Sequence, residues 1–186
     1  MIVLPKINSK GFTLVELIIG VIVYGIISTV VAVVISNSLR MYSDVRSRKN
    51  LNIDGQYSVF LFTRDYSHLS QETGLLFADN NKIRFKTNQG FTVEYALDST
   101  LFTRKIISDG ISNTLTDHVY VSASGFQYYE RDHTELTSVP LSITEIQNVW
   151  TVELLINMAN DTDTISYIAD VYPENYKLAT EGCTGN

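Results

Sequence analysis

The sequence predicts an α+β protein in which one long N-terminal helix packs on a head made of antiparallel β-sheet. Three observations lead to this prediction. The run Phe12–Ile35 is apolar apart from one carboxylate, and apolar residues keep near-helical spacing beyond it. From about residue 74 the apolar residues instead recur at every second position, as they do in half-buried strands.

The composition excludes several classes of protein. The chain has 186 residues and a net charge of −6, which argues against nucleic-acid binding because such proteins normally present a basic face. Cys183 is the only cysteine, so the chain forms no internal disulfide and no cysteine-based zinc site. No nucleotide-binding, hydrolase or zinc-protease motif occurs, and we therefore predict neither an enzyme nor a cofactor.

The first element is a helix able to cross a membrane. The 24 residues from Phe12 to Ile35 would span about 36 Å, more than the ~30 Å of a hydrocarbon core. A cleaved signal peptide ending near Ser38 is one alternative and a plain signal anchor is another. The run exceeds the ~7–15 residues of a signal-peptide apolar region. Glu16 inside it would cost about 2.5–3.5 kcal/mol at mid-bilayer and less near the interface.

The junction before this helix carries the most specific motif. The stretch Lys10-Gly11-Phe12-Thr13-Leu14-Val15-Glu16-Leu17 resembles the processing site of the type IV pilin superfamily. The resemblance implies that a prepilin peptidase cleaves between Gly11 and Phe12 and methylates the new amine of Phe12. It also implies that Glu16 serves assembly, and the amine of a neighbouring subunit would give this buried carboxylate a cationic partner.

The predicted organisation is a leader (1–11), a transmembrane and assembly helix (12–36), an amphipathic half of the same helix (37–72), a β-rich head (73–178) and a tail (179–186). We expect one helix from about Phe12 to about Ser70. Its second half carries five basic and three acidic side chains. They would form either a solvated face or a face that packs against acidic heads of neighbouring subunits.

The head is predicted from alternation and turns. Turns are expected at Asn88-Gln89-Gly90, at Asp109-Gly110 and from Asn160 to Thr164. The alternating residues between them predict one antiparallel sheet that packs on the helix. They are Ile83 and Phe85; Phe91 to Leu97; Leu101 to Ile107; Val119, Val121 and Ala123; Phe126 and Tyr128; Trp150 to Met158; and Ile165 to Val171.

Short segments of the head also occur in a characteristic order: Phe62-Thr63-Arg64-Asp65, Lys82-Ile83-Arg84-Phe85, Val93-Glu94-Tyr95, Leu101-Phe102-Thr103-Arg104, Gly125-Phe126-Gln127-Tyr128-Tyr129 and Trp150-Thr151-Val152-Glu153-Leu154. In this order they resemble the J-type minor pseudopilins of type II secretion and the W-type minor pilins of type IV pili. The segment Asp170 to Asn175 lacks an arginine that these proteins often have. Cys183 has no partner for the C-terminal disulfide of many major pilins.

Two groups of polar residues could be taken for ligand sites. Glu130, Asp132, His133 and Glu135 could form a metal or acid–base group, but a solvated loop explains them better. The resemblance to pseudopilins, some of which carry calcium in this half of the head, implies that Asp161 and Asp163 could contribute to a calcium site; otherwise they simply form a turn. We predict no metal site as the main outcome.

The predicted function is that of a minor pilin or pseudopilin. By resemblance, it would initiate or cap the tip of a type II secretion pseudopilus or a type IV pilus. Its partners would be other pilins, the prepilin peptidase and lipids of the bacterial inner membrane, with the head in the periplasm or outside. The alternative is a membrane-anchored adhesin or exoprotein-binding module. The choice between secretion, pilus and DNA-uptake systems stays open.

Overall fold

The computed structural model describes residues 13–70, 74–160 and 163–174. It has the α+β architecture predicted from the sequence. The element order is α1 (Leu14–Ser67), β1 (Leu75–Ala78), β2 (Lys82–Lys86), β3 (Thr92–Asp98), β4 (Leu101–Ile106), β5 (Ile111–Thr116), a 3₁₀ helix (Val121–Ala123), β6 (Gly125–Tyr129), α2 (Ile143–Asn148), β7 (Thr151–Ala159) and β8 (Thr164–Val171).

Helix α1 ends at Ser67, slightly before the predicted Ser70. After Ser67 the backbone forms hydrogen bonds with the end of β2 and the turn that follows it, instead of continuing the helix. Leu69 forms an isolated antiparallel bridge with Thr87, and the N–H of Ser70 donates to the carbonyl of Lys86 at 2.8 Å.

The chain divides into two compact units, 1–45 and 46–186, which we describe separately. In the first unit, the described large apolar side chains of α1 are exposed. By length and composition α1 is able to cross a membrane. The length and composition of α1 therefore agree with the prediction of one N-terminal membrane anchor.

In the second unit the strands form two antiparallel sheets, where the sequence predicted one. Five strands pair in the order β1-β2-β3-β4-β5 and three in the order β6-β7-β8. Strands β1 and β5 lack clear alternation and were not predicted. The expected strand at Val121 and Ala123 is wrong, because Ala123 and Ser124 donate to the carbonyls of Tyr120 and Val121 in a 3₁₀ turn.

The core lies between both sheets and one face of α1. The buried residues of that face are Leu51, Gly55, Ser58, Leu61, Phe62, Asp65 and Tyr66. Aromatic rings from α1 and from strands of both sheets form a chain of contacts with centroids 5.2–6.4 Å apart. Each such pair adds about 0.5–1.5 kcal/mol beyond its buried area. The rings are Phe62, Tyr66, Phe85, Tyr95, Phe102 and Phe126.

Strand β8 runs along the head part of α1 in the same direction. Its start is tied to the helix by the ion pair between Arg48 and Asp163. Farther along, the hydroxyl of Tyr167 donates to the carbonyl of Asn52 at 3.2 Å. Beyond its end, Glu174 lies 4.0 Å from His68, just after α1. The loops at the two ends of β8 therefore lie at opposite ends of the head.

Candidate functional site

Glu16 lies in the first turn of α1, where it forms a capping box with Thr13. One oxygen, Oε2, accepts the backbone N–H and the hydroxyl of Thr13, each at 3.0 Å. In return the N–H of Glu16 donates to the Thr13 hydroxyl at 3.4 Å. This pairing satisfies backbone donors that a helix start otherwise leaves open. Sequence reasoning missed it, although Thr-x-x-Glu is its ordinary signature.

The two processing residues predicted from the sequence, Gly11 and Phe12, lie outside the described residues. The same holds for Asp161 and Cys183. The predicted cleavage and methylation therefore stay predictions, as does the assembly role of Glu16.

In the head, three of the six segments that carried the pseudopilin resemblance meet at Asp65. This carboxylate is 7% exposed. Its Oδ2 accepts Nε of Arg104 at 2.6 Å and the hydroxyl of Tyr95 at 2.9 Å. Its Oδ1 accepts Nε and Nη2 of Arg64 at 3.0 and 2.7 Å. Asp65 thus joins the end of α1 to β3 and β4.

The electrostatics of this cluster indicate a structural role. Burial raises the pKa of Tyr95 far above its ordinary value, and the adjacent Asp65 carboxylate raises it further. The phenol consequently stays neutral and donates its hydroxyl proton to Asp65. A cleft of about 380 Å³ opens beside Asp65 and both arginines, but the carboxylate it would offer already accepts four hydrogen bonds from three residues.

A second cleft, of about 580 Å³, lies at the end of the head where β6 ends and β7 begins. We call it, together with the adjoining loop 130–135, the acidic end. Two carboxylates face each other there, since Glu153 pairs with Asp170 across β7 and β8. Burial, with Asp170 and Glu135 contributing, raises the pKa of Glu153. The cleft is lined by Tyr129, Arg131, His133, Trp150, Thr151, Glu153, Asp170 and Tyr172.

Two acidic residues of the predicted metal or acid–base group, Glu130 and Asp132, bind different partners. Glu130 accepts from the amide of Asn148 at 3.3 Å. Asp132 accepts the N–H of Thr134 at 3.0 Å, a bond that lowers the pKa of Asp132. Among the described residues no group of three or more His, Cys, Asp or Glu side chains could hold a metal ion.

Asp163, the described member of the calcium pair, is held within the turn before β8. Its N–H donates to Oδ1 of Asn160 at 2.7 Å, and its carboxylate pairs with Arg48. The chain itself therefore supplies the cation for this carboxylate.

The fold and these sites define a protein with a membrane-capable helix, a capped carboxylate at its start and an α+β head. No family model matches the chain, and no curated protein matches it. Its function is therefore inferred from its residues and their geometry.

Proposed function

We propose that the chain is a minor pilin or pseudopilin, a structural subunit that helps to initiate or cap the tip of a type II secretion pseudopilus or type IV pilus. The observation that carries the proposal is the position of Glu16. It is the only charged residue of an apolar run of 24 residues and lies four residues after Phe12.

The energetics of a membrane carboxylate support this role. A charged carboxylate in hydrocarbon costs several kcal/mol unless it is paired. Thr13 gives Glu16 two hydrogen bonds but no positive charge. The α-amine of Phe12 in a neighbouring subunit would supply that charge once cleavage after Gly11 has created it.

The rest of the molecule fits a filament subunit anchored in the inner membrane. Helix α1 supplies both the apolar run and a buried face of the head. The Asp65 cluster fastens the end of this helix to the first sheet. Such a chain would present a folded head outside the membrane while its helix remains available for packing with other subunits.

The test compares two substitutions at the helix start in cells that assemble the filament. Glu16→Ala should leave the protein in the membrane but remove it from sheared filaments, because the charge for intersubunit pairing is gone. Thr13→Val removes the hydroxyl of the capping box and keeps the carboxylate, so this variant should still assemble. If Glu16→Ala assembles as well as the wild type, the proposal is wrong. Equal loss in both variants would mean that Glu16 only caps the helix.

A second candidate function is that of an anchored adhesin or exoprotein-binding module. The cleft beside Trp150 favours it, since aromatic rings at a surface cleft are common in binding sites. Binding of the detergent-solubilised full chain to a purified exoprotein, lost in Trp150→Ala, would support this function. Unchanged binding in that variant would exclude the cleft as the site.

A further inference from the structure

Three carboxylates come together at the acidic end of the head. Glu153 on β7 lies opposite Asp170 on β8. Glu135 lies beside β6, because it forms an isolated antiparallel bridge with Tyr129 at the end of that strand. Burial raises the pKa of the Tyr129 phenol, and the charges of all three carboxylates raise it further. The three groups therefore act on the same part of the cleft.

These carboxylates form no ion pair within the part of the chain that the structure describes. Like charges directly opposite each other on neighbouring strands destabilise a sheet. Glu153 instead shares a hydrogen bond with Asp170, which contributes, after burial and the charge of Asp170, to the raised pKa of Glu153. Because ionised carboxylates only accept hydrogen bonds, this bond needs a proton. A bound cation would take the place of that proton.

The aromatic side of the cleft already binds a cation of the chain itself. The guanidinium carbon of Arg131 lies 5.1 Å from the ring centre of Trp150, within the ~6 Å range of a cation–π contact. The backbone fixes Trp150 at this place, since its N–H donates to the carbonyl of Tyr129 at 2.8 Å. Tyr129 and Tyr172 also line the cleft. Rings beside carboxylates favour organic cations, because an aliphatic stem packs on the ring while its charged end reaches the carboxylates.

We propose that the cleft of the acidic end binds an ammonium or guanidinium group on an aliphatic stem, the group that ends a lysine or arginine side chain. The charged group lies between Glu153 and Asp170, and the stem lies against the ring of Trp150. The cleft volume of about 580 Å³ is within the ~300–1,000 Å³ of small-ligand sites. A free amine and a side chain of a partner protein offer the same chemistry. This inference does not rest on the filament role, and it names the ligand chemistry that the second candidate function leaves open.

The test titrates the full chain in detergent at constant ionic strength. Trp150 is the only tryptophan of the chain, so its fluorescence reports on this cleft, and calorimetry measures binding independently. The probes are butylammonium and the blocked peptide acetyl-glycyl-lysyl-glycine amide. The same peptide with norleucine in place of lysine is the uncharged control. Both cations should bind saturably and the control should not. Equal affinities for the two cations would identify a site for free amines, whereas tighter binding of the lysine peptide would identify a site for a partner's side chain.

Substitutions in the cleft test the arrangement. Glu153→Gln and Asp170→Asn should each weaken binding by about two- to fivefold, since each removes one charge from the pair. Arg131→Ala should strengthen binding by about two- to fivefold, because it removes a competing cation from the ring of Trp150. Such a gain in affinity cannot come from unfolding. Asp98→Asn is the matched control, since this exposed carboxylate at the end of β3 lies in the other sheet and does not line the cleft.

Several outcomes would overturn the proposal. They are the absence of binding by both cations, equal binding of the norleucine peptide, and unchanged affinity in both carboxylate variants. Weaker binding in Arg131→Ala would indicate a ligand held by the arginine, and calcium chloride that displaces the probes at equal ionic strength would indicate an inorganic cation site. Both results contradict an organic cation between Glu153 and Asp170. The incorporation of Glu16 variants into filaments is measured in cells, so the proposed function and this inference can fail independently.

Discussion

The hydroxyl of Tyr95 on β3 donates to the carboxylate of Asp65 on α1 at 2.9 Å, across the interface between the helix and the first sheet. Arg104 and the half-exposed Arg64 also donate to this carboxylate, which is the negative charge that the cluster shares. Removing the carboxylate would leave Arg104, which is 14% exposed, without its partner.

We therefore expect Asp65→Ala to lower the free energy of unfolding of the head by about 3–5 kcal/mol, since breaking a buried ion pair from one side leaves a charge uncompensated. Chemical denaturation followed by tryptophan fluorescence measures it. Glu174→Ala is the matched control, because its pair with His68 is exposed and should contribute less than about 1 kcal/mol. Equal effects of the two substitutions would contradict the role given to Asp65.

Gly55 is expected to contribute to the stability of the head because the Tyr167 ring packs directly against it. A Cβ at Gly55 would lie 2.1 Å from the Tyr167 ring. Although alanine in place of glycine normally stabilises a helix by about 0.5–1 kcal/mol, Gly55→Ala should destabilise the head by about 1–3 kcal/mol through overpacking. Thermal unfolding measures the change. In a Tyr167→Leu background the same substitution should become neutral or stabilising, and a cost that persists there would refute the contact.

The acidic end should make stability depend on pH. Burial, followed by Asp170 and Glu135, raises the pKa of Glu153 above its ordinary 4.5. The carboxyl group of Glu153 therefore binds a proton more readily in the folded head than in the unfolded chain. At neutral pH the ionised group lowers the free energy of unfolding. This loss of stability disappears as the pH falls through the folded pKa towards 4.5. Glu153→Gln should be more stable than the wild type at pH 7, and the difference should shrink by about pH 4. A stability difference that is constant over this range would contradict the assignment.

The sequence predicts the helix and most strands because each has a local signal. The helix has a continuous apolar run, and the strands have apolar residues at every second position, as from Trp150 to Met158. The division into two sheets is not local, and neither is β5, whose residues 111–114 are all exposed. The segments that resemble those of minor pseudopilins are recognisable from their amino-acid sequence and their order along the chain. The meeting of three of them at Asp65 depends on tertiary packing, which no spacing reveals. Gly55 gave no local signal either, because its partner Tyr167 lies 112 positions away (167 − 55). By contrast, the capping box of Thr13 and Glu16 was visible and was overlooked beside the processing motif.

The central claim is that this chain is processed and assembled as a pilin-like subunit, and the mass of the cellular protein tests it most directly. The account predicts loss of residues 1–11, a mature chain of 175 residues (186 − 11) that begins at Phe12, and one added methyl group on its amine. An intact-mass spectrum showing cleavage near Ser38, or an uncleaved and unmethylated chain, would contradict it.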